Sequence, residues 1–595
     1  MRLYVLLSLL IANILCAAGQ ASDLLTELEN STLQVRQKPG TDALLRNWLG
    51  RAGVKEDTVY AYIYMPGSCP RCENSIKDYK EYINSKGGKF LLITVFRDKA
   101  TAAFYNKKKG YEADYYIYDT ENYYKQVLSF NNFALDGSDM LKLTRQGRLI
   151  TGYDGMNYSR KLAELLMRRS KPMDYRDFGG SAETDSTEWV YRLEYAEALP
   201  MNGGHKDYKL DVKPEAPLCE TYRNPYFRDD VFFYPDELLS SVPVYRKEKD
   251  TGKMAFVAAL APDSTEKDMF IDLDAETYNM LARKDNLYYI VCYAGMLDDG
   301  HIGLSYSLPR IFFQAEDHIA YFNKTCILSR NIGDLSKSRF FVPDYDVMKE
   351  QYSYNHFQFS STGGNVFMGC QKNTWPMSFE PDEYKDNPAF NPFCEEFYVT
   401  DNPFMAEFDR HTGKLIRRFG KLDSLAEKTM TGYYYVNAQS TVGGSEIAYT
   451  DGYSGKVYVA DTSAVADAKA CYSAFNINDD DLPPLDSTLF YSYAQAKRYR
   501  GVFCRCITDL RITPETLYCV VAYGDMADPN DQRTRYTFVT IDRNTGKRLE
   551  YTYPAEKGFT VFTRGLREKD GRVWPFSVLK RDGEALLRVY GKDAR

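Results

Sequence analysis

The sequence predicts a multidomain protein in which an α/β domain is followed by an all-β domain. Strand-like and helix-like segments alternate between residues 55 and 170, and residues 171–189 have the polar composition of a linker. From residue 190 to 595, short runs rich in Tyr, Val and Phe are separated by turn residues. A chain of 595 residues also exceeds what one hydrophobic core ordinarily supports, so several domains are expected.

The N-terminus predicts a secretory signal peptide over residues 1–21, "MRLYVLLSLLIANILCAAGQA". Arg2 precedes a mostly apolar run, and small residues follow in the region of the expected cleavage. The run is shorter than the roughly 20 residues that a membrane-spanning helix needs, and no later segment is long enough to span a bilayer. We therefore expect an exported protein of the periplasm or cell envelope, with secretion or a lipid anchor through Cys16 as further options.

The α/β domain is predicted over residues 55–170, after a helical extension at 22–54. "TVYAYIYM" and "KFLLITVF" have the pattern of buried strands, and "PRCENSIKDYKEYINSKGG" between them is helix-like. A helix at "ATAAFYNKKKGY", a strand at "ADYYIYD", a hairpin turning near Gly147 and a closing helix at "MNYSRKLAELLMRR" follow. This order implies a mixed sheet with helices on both faces.

Two cysteines, Cys69 and Cys72, lie between the first strand and the first helix in "YIYMPGSCPRCENS". At the start of a helix, unsatisfied backbone N–H groups and the helix dipole stabilise a thiolate, and Arg71 adds positive charge. Pro70 suits the first helical turn, where its missing N–H would have no partner. The spacing is therefore typical of a redox-active pair, with Cys69 as the nucleophile and Cys72 as the resolving thiol.

The segment resembles the thioredoxin superfamily, in particular its exported bacterial members, over residues 55–170. The resemblance rests on the cysteine motif after a strand, the order of the following elements and the "TRQGRLI" hairpin. It implies thiol–disulfide exchange with protein thiols or disulfides, or with a redox partner protein. The family usually carries a cis-proline facing the cysteines, and here the equivalent place falls near Ser138.

Two other interpretations of the cysteine pair stay open, a structural disulfide and a metal site. Zinc would need two further ligands, and Cys504 and Cys506 in "FCRC" could supply them from one face of a strand. Buried core positions are the simpler interpretation of these two residues. The five histidines show no paired spacing, so we predict neither a bound metal nor a cofactor.

Residues 190–595 contain a recurring strand-turn-strand unit, clearest at "AEFDRHTGKLIRRFGK" and "VTIDRNTGKRLEYTYP". A unit that recurs over about 400 residues predicts a β-propeller, because each blade can bury its faces only against its neighbours. Six blades fit the length, and seven is an alternative. The unit resembles the NHL-like six-bladed propellers of exported proteins from Bacteroidetes-like bacteria.

The resemblance implies a recognition or scaffold role for this second domain, with a peptide or a glycan as its ligand. Aromatic residues in "MTGYYYVNAQ" (430–439) could form that binding face or could be blade core, which we favour. The net charge of -7 and the absence of a long basic block argue against a nucleic-acid partner. The sequence thus predicts an exported thiol–disulfide oxidoreductase or redox sensor, or alternatively a redox-inactive binding protein with a structural Cys69–Cys72 disulfide.

Overall fold

The structure is a computed structural model of the chain. It describes residues 35–64, 76, 79–81, 83–84, 87–96, 99–121, 123–130, 140–153, 198–201, 204–213, 218, 225–236, 241–263, 266, 290–298, 300–315, 318–345, 351–372, 388–390, 392, 394–433, 435–477, 503–524, 535–581 and 584–591. The chain divides into two compact units, Met1–Arg176 and Asp177–Arg595.

The first unit is built on a five-stranded mixed sheet. Its strands, together with two short strands outside the sheet, are β1 (Val35–Gln37), β2 (Thr58–Tyr64), β3 (Phe90–Val95), β4 (Tyr115–Asp119), β5 (Leu128–Phe130), β6 (Met140–Thr144) and β7 (Leu149–Tyr153). The sheet order is β4-β3-β2-β6-β7. Strands β2, β3 and β4 are parallel, and β6 and β7 form an antiparallel hairpin beside β2. Gly147 turns this hairpin with a φ of 85°, as the sequence predicts.

Both faces of this sheet are covered, because its central strands β2 and β3 are apolar on both sides. Three helices of this unit are described from end to end: α1 (Asp42–Arg51), α2 (Lys99–Lys109) and α3 (Tyr124–Val127). On one face, Leu45 and Leu49 of α1 pack against the sheet. On the other face, the helical residues Ile76, Tyr79 and Ile83 pack against it. The arrangement is an α/β sheet with helical residues on each side.

Strand β1 was not expected, since the sequence predicts only helix before residue 54. Val35 pairs with Phe130 and Gln37 with Leu128, so β1 and β5 form a separate two-stranded antiparallel sheet. Each strand has three residues, which is too short for a recognisable alternation of apolar and polar side chains. The pairing also joins segments that are distant in sequence, and local patterns do not report such contacts.

In its described part, the second unit contains three four-stranded sheets, one five-stranded sheet and one closed ring of eight strands. The ring has two four-stranded halves, numbered sheets 1 and 6, and the other four are sheets 2 to 5. Sheets 1 to 3 are formed by β10 (Tyr226–Arg228), β11 (Val231–Phe233), β12 (Val242–Lys247) and β13 (Met254–Leu260); by β14 (Ile290–Asp298), β15 (His301–Ala315), β16 (His318–Asn331) and β17 (Lys337–Phe341); and by β18 (Tyr352–Ser361), β19 (Asn365–Lys372), β20 (Pro403–Asp409) and β21 (Leu415–Lys421).

Sheets 4 to 6 continue the same order along the chain, and the last one takes its fourth strand from the start of the unit. They are formed by β22 (Gln439–Gly443), β23 (Glu446–Thr450), β24 (Lys456–Asp461) and β25 (Ala470–Ser473); by β26 (Arg505–Ile512), β27 (Thr516–Tyr523), β28 (Arg535–Asp542) and β29 (Arg548–Thr552), with β8 (Leu199–Pro200) at the edge; and by β30 (Thr560–Lys569), β31 (Arg572–Arg581), β32 (Glu584–Tyr590) and β9 (His205–Leu210). Short helices lie at α4 (Glu395–Val399) and α5 (Ser424–Lys428), with a 3-10 turn at Pro388–Phe390.

Strand β9 closes the unit by pairing antiparallel with β32, which joins its N-terminal and C-terminal strands in one sheet. Sheets 1 and 6 also meet through two short parallel contacts, Phe227 with Arg567 and Met254 with Leu210. These contacts complete a hydrogen-bonded ring of eight strands. Because each contact spans only one or two residue pairs, the ring consists of two adjoining four-stranded sheets.

The sheets pack against one another in chain order. The first strands of sheets 2 to 6 lie beside one another in order, and β30 lies beside β10 of sheet 1. Separate apolar clusters fill the spaces between successive sheets: Val244 with Leu304 between sheets 1 and 2, for example, and Val459 with Leu510 between sheets 4 and 5. Each sheet thus buries its faces against its neighbours, and the unit is mostly β and β-propeller-like.

The D-R-x-T-G-K segments are tight turns between the third and fourth strands of sheets 3 and 5. The carboxylate of Asp409 accepts hydrogen bonds from the Thr412 N–H at 2.7 Å and from the Thr412 hydroxyl at 2.8 Å. Asp542 accepts the same pair from Thr545, at 2.8 and 2.9 Å. Gly413 follows with a φ of 73°. The recurring sequence unit therefore predicts the strand-turn-strand structure correctly at both places.

The two turns provide a matched pair for a prediction. Gly413→Ala is expected to destabilise the protein more than Gly546→Ala, although both glycines have a positive φ, of 73° and 70°. Positive φ costs about 1–2 kcal/mol for a residue with a Cβ in either turn. At Gly413 the added Cβ would also lie 2.2 Å from the Val342 carbonyl oxygen, whereas nothing lies within 4 Å at Gly546. Forced overlap adds about 1–3 kcal/mol.

Urea unfolding followed by circular dichroism measures this difference in unfolding free energy. Equal midpoints for the two variants would contradict the described contact between the Gly413 turn and Val342.

No helix among the described residues is long and apolar enough to cross a membrane.

Candidate functional site

The predicted catalytic residues Cys69 and Cys72 lie outside the described residues, as do Ser138, Cys16 and the predicted signal peptide. The described chain on either side of the pair ends at Tyr64, the last residue of β2, and resumes at the helical Ile76. Tyr64 is buried and its ring contacts Tyr111 edge to face at 5.4 Å. The pair is therefore bracketed by the carboxyl end of the central strand and by helical residues that pack on one face of the sheet.

A polar pair lies at the carboxyl end of β3, the strand next to β2. The side-chain amide of Asn106, from α2, donates a hydrogen bond to the Thr94 hydroxyl at 2.8 Å, and both residues are buried. The Asn106 side-chain oxygen Oδ1 has no hydrogen-bond partner within the part of the chain that is described. Unpaired buried acceptors are rare in folded proteins. Sequence patterns did not single out this pair, because Thr94 lies within the apolar run "FLLITVF" and Asn106 lies inside a helix.

Asp119 ends the third parallel strand, β4, at the same edge of the sheet. Its carboxylate accepts hydrogen bonds from the backbone N–H groups of Tyr123 at 2.7 Å and Tyr124 at 2.9 Å, at the start of α3. Burial raises the pKa of Asp119, and these hydrogen bonds oppose that rise. An acidic residue between a strand and a short helix is the sequence signal that could have identified it. Polar groups thus collect at the carboxyl edge of the parallel strands, where α/β sheets ordinarily place their sites.

The cysteines considered as zinc ligands are core residues. Cys504 and Cys506 are buried, and burial raises the pKa of Cys506 to about 12, so its thiol stays protonated. The Asn437 side chain donates to the Cys506 sulfur at 3.4 Å. Within the described ranges, no three His, Cys, Asp or Glu residues are grouped in a way that could hold a metal ion.

In the aromatic segment 430–439, one tyrosine is buried in the core and another belongs to a small aromatic cluster with Phe503. Tyr433 is buried between sheets 3 and 4, and its hydroxyl donates to the Pro403 carbonyl at 2.7 Å. Tyr435 is half-buried and stacks on Phe503, with ring centroids 4.0 Å apart. Because these two rings pack on one another, the described part of the segment favours the core interpretation over an open binding face.

A buried acidic group lies beside that cluster, in the turn between β23 and β24. Asp451 is 4% exposed, and its carboxylate accepts the backbone N–H groups of Tyr453 at 3.0 Å and Ser454 at 2.8 Å. Burial, with a smaller contribution from the nearby charge of Asp423, raises the pKa of Asp451 to about 6. Lys456 pairs with Asp423 rather than with Asp451, at 2.5 Å.

The raised pKa predicts how stability depends on pH. The folded carboxyl keeps its proton up to about pH 6, whereas the unfolded group has the ordinary value of 3.8. The contribution of Asp451 to the unfolding free energy is complete below the pKa of the unfolded carboxyl. It is lost as the pH rises through the pKa of the folded carboxyl. A shift of about two units corresponds to roughly 3 kcal/mol. Relative to Asp451→Asn, the wild type is expected to lose about that unfolding free energy between about pH 4 and pH 7.

Urea unfolding of both proteins across this pH range checks the prediction. Asp409→Asn is the control with the opposite sign, because hydrogen bonds from Thr412 lower the pKa of the half-buried Asp409. A pH-independent difference between the wild type and Asp451→Asn would contradict the described burial of Asp451.

Comparisons with known proteins do not assign a family. No protein-family model matches the chain, and neither does any curated protein. Among solved structures, a GH43 protein from Bacillus licheniformis matches with 7% identity and a TM-score of 0.28, over 65% of this chain and 54% of that one. A luciferin-regenerating enzyme matches with 11% identity and a TM-score of 0.30, over 66% of this chain and 96% of that one.

A Trypanosoma rangeli sialidase bound to the inhibitor DANA matches with 7% identity and a TM-score of 0.30, over 66% of this chain and 58% of that one. The chain thus spans about half the length of the GH43 protein and of the sialidase. TM-scores of 0.28 to 0.30 do not establish a shared fold, so the fold assignment rests on the strand pairing.

Proposed function

We propose that the protein is an exported thiol–disulfide oxidoreductase or redox sensor, with a thioredoxin-like first domain and a six-bladed propeller that recognises a partner. The observation that carries the proposal is the sheet order β4-β3-β2-β6-β7, with a C-x-x-C pair directly after the central strand. Three parallel strands followed by an antiparallel hairpin are the arrangement that the resemblance to thioredoxins implies. Ile76 and Tyr79, which follow the cysteines in the sequence, are helical and pack on the sheet, as the proposal expects of the segment after the pair.

The chemistry follows from that placement. The Cys69 thiolate attacks a disulfide of the substrate, forming a mixed disulfide and releasing one substrate thiolate, which takes up a proton. The Cys72 thiolate then attacks the Cys69 sulfur, which releases the second substrate thiol and leaves a Cys69–Cys72 disulfide. Two electrons pass to the substrate, and a dithiol protein is needed to reduce the pair again. In the opposite direction, the same steps oxidise a substrate dithiol.

The second domain supplies recognition in this proposal. Its described charged residues pair mainly within and between blades, as in the ion pair of Arg543 with Glu446 at 2.7 Å, and the described residues contain no metal-binding group. A peptide or a glycan is the ligand class that the resemblance implies. The expected location is the periplasm or cell envelope, where a disulfide can persist.

Alkylation of Cys69 as a function of pH tests the proposal. A thiol that is activated at a helix N-terminus titrates below the roughly 8.5 of a free cysteine, and the reduced protein should then reduce a test disulfide. A pKa for Cys69 at or above that value, together with no reduction of the test disulfide, would favour the alternative of a binding protein with a structural Cys69–Cys72 bond.

A further inference from the structure

Arg564 lies in β30, the first strand of sheet 6, on the side that faces sheet 5. The centre of its guanidinium group lies 4.1 Å from the ring centroid of Tyr553 and 5.5 Å from that of Tyr536. Tyr536 belongs to β28 of sheet 5, and Tyr553 directly follows β29 of the same sheet. The electron-rich faces of the two rings attract the cation, but they leave its N–H groups without hydrogen-bond acceptors.

The guanidinium of Arg564 makes no hydrogen bond or ion pair within the part of the chain that the structure describes. Its Nε atom is buried without an acceptor, although buried donors are ordinarily paired in folded proteins. The residue as a whole is half-buried, so solvent reaches part of the side chain. The two rings therefore hold a cation whose N–H groups are open to an acceptor from outside the chain.

Other arginines of sheets 5 and 6 already have carboxylate partners. Arg511 pairs with the buried Asp509 at 2.6 Å. Arg588 donates to both oxygens of Asp207, each at 2.7 Å, and also pairs with Glu556. Because these carboxylates are occupied by their own arginines, they do not compensate the charge that lies between the two tyrosine rings.

A second unpaired donor lies beside this charge. Tyr553 is 8% exposed, and its hydroxyl has no hydrogen-bond partner among the described residues. Burial raises the pKa of Tyr553 and the charge of Arg564 opposes that rise, which places the hydroxyl near the guanidinium. The hydroxyl therefore keeps its proton at neutral pH and can donate it in a hydrogen bond. By contrast, Tyr590 in the same space between the sheets donates to the Ser577 hydroxyl at 2.9 Å.

The uncompensated charge and the two donors favour a carboxylate ligand. A planar guanidinium can donate two parallel N–H groups to the two oxygens of a carboxylate. One carboxylate also balances one positive charge, whereas a phosphate dianion would leave excess charge in a partly buried place, which is costly. We propose that Arg564, Tyr553 and Tyr536 form a binding site in the second unit for the carboxylate group of a small ligand. The site gives a ligand chemistry to the recognition role proposed above for this unit, on which it rests.

Calorimetric titration of the full-length protein with two acids tests the site. Glucuronate carries the carboxylate on a sugar, and N-acetylalanine carries it as the C-terminus of a peptide does; glucose and N-acetylalaninamide are their uncharged counterparts. The wild type is expected to bind one or both acids and neither uncharged compound. Arg564→Met is expected to weaken this binding roughly 10- to 100-fold, as loss of a hydrogen bond to a charged group does. Tyr553→Phe is expected to weaken it less, because the guanidinium remains.

Arg505→Met is the matched control. Arg505 is also half-buried on the first strand of its sheet, and its Nε atom is likewise buried without an acceptor in the described ranges. Its guanidinium lies 5.4 Å from the ring centroid of Phe475, away from the two tyrosines of the proposed site. Its replacement removes the same charge and should leave the affinity for the acids unchanged. Equal losses in Arg505→Met and Arg564→Met would overturn the site, because only net charge would then matter.

Circular dichroism shows whether each variant is folded. Should Arg564→Met not fold, Arg564→Lys takes its place, because lysine keeps the charge but lacks the planar fork, and a loss of affinity is again expected. A wild type that binds neither acid at millimolar concentration would overturn the proposal. Thiol–disulfide exchange by Cys69 is measured separately. Its absence would leave the carboxylate site standing, and absence of acid binding would leave the exchange activity standing.

Discussion

Replacing Cys69 by Ser is expected to reduce thiol–disulfide exchange by the full-length protein to the background rate. Serine keeps the size of the side chain but has no thiolate, which is the species that attacks a disulfide. Cys72→Ser should behave differently, because the first attack still occurs and only the resolving step is lost. That variant is therefore expected to accumulate a mixed disulfide with its substrate. Mass spectrometry after incubation with a disulfide-containing peptide measures both outcomes.

Cys471→Ser is the matched control for this prediction. Cys471 is an exposed cysteine on the outermost strand of sheet 4, so it is accessible to the same reagents. The protein atoms packed around its sulfur and the nearby carboxylates of Asp423 and Asp451 raise the pKa of its thiol, which makes it a poor nucleophile. Its replacement should leave exchange unchanged. Exchange that persists in Cys69→Ser and disappears in Cys471→Ser would contradict the assignment of the reactive pair to the first domain.

The largest expected effect on stability is at Asp509, where sheets 5, 6 and 1 meet. Asp509 is fully buried, and its carboxylate pairs with Arg511 at 2.6 Å and accepts the Leu566 N–H of sheet 6 at 2.8 Å. The Arg511 guanidinium lies over the ring of Tyr226, in sheet 1, at 4.8 Å from the ring centroid. Asp509→Ala leaves the buried guanidinium without this carboxylate. Breaking a buried pair in this way costs about 3–5 kcal/mol.

The combined change Asp509→Leu and Arg511→Met is expected to recover much of that loss, because two apolar side chains of similar volume leave no buried charge. Glu584→Ala is the surface control, since its pair with Lys209 is exposed on both sides. Urea unfolding of the four proteins measures the differences. Midpoints that coincide for Asp509→Ala and Glu584→Ala would show that the buried pair does not hold the sheets together.

Local sequence patterns were sufficient to predict the strands and turns that form from neighbouring residues. The buried strand Thr58–Tyr64 and the hairpin at Gly147 follow from apolar runs and a glycine turn. The turns at Asp409 and Asp542 follow from repeated Asp, Thr and Gly positions, and the repeated unit predicts a β-propeller. In each of these cases the stabilising contacts lie within a few residues of one another.

Contacts between distant segments could not be predicted in the same way. The closing strand His205–Leu210 pairs with Glu584–Tyr590, although nearly the whole second unit separates them. Asp509 and Arg511 lie inside an apolar strand, "RCITDLRI", where nothing in the sequence shows that both are buried. The polar group of Thr94, Asn106 and Asp119 also forms only when strands from different segments align.

The central claim is that Cys69 and Cys72 exchange electrons with other proteins, and the reduction potential of this couple tests it most directly. Equilibration of the purified protein with glutathione redox buffers, read by alkylation of the two thiols, gives the value. A potential above about -270 mV is expected, in the range of catalytic dithiol pairs. A potential below about -300 mV would contradict the claim, because a bond that stable is structural.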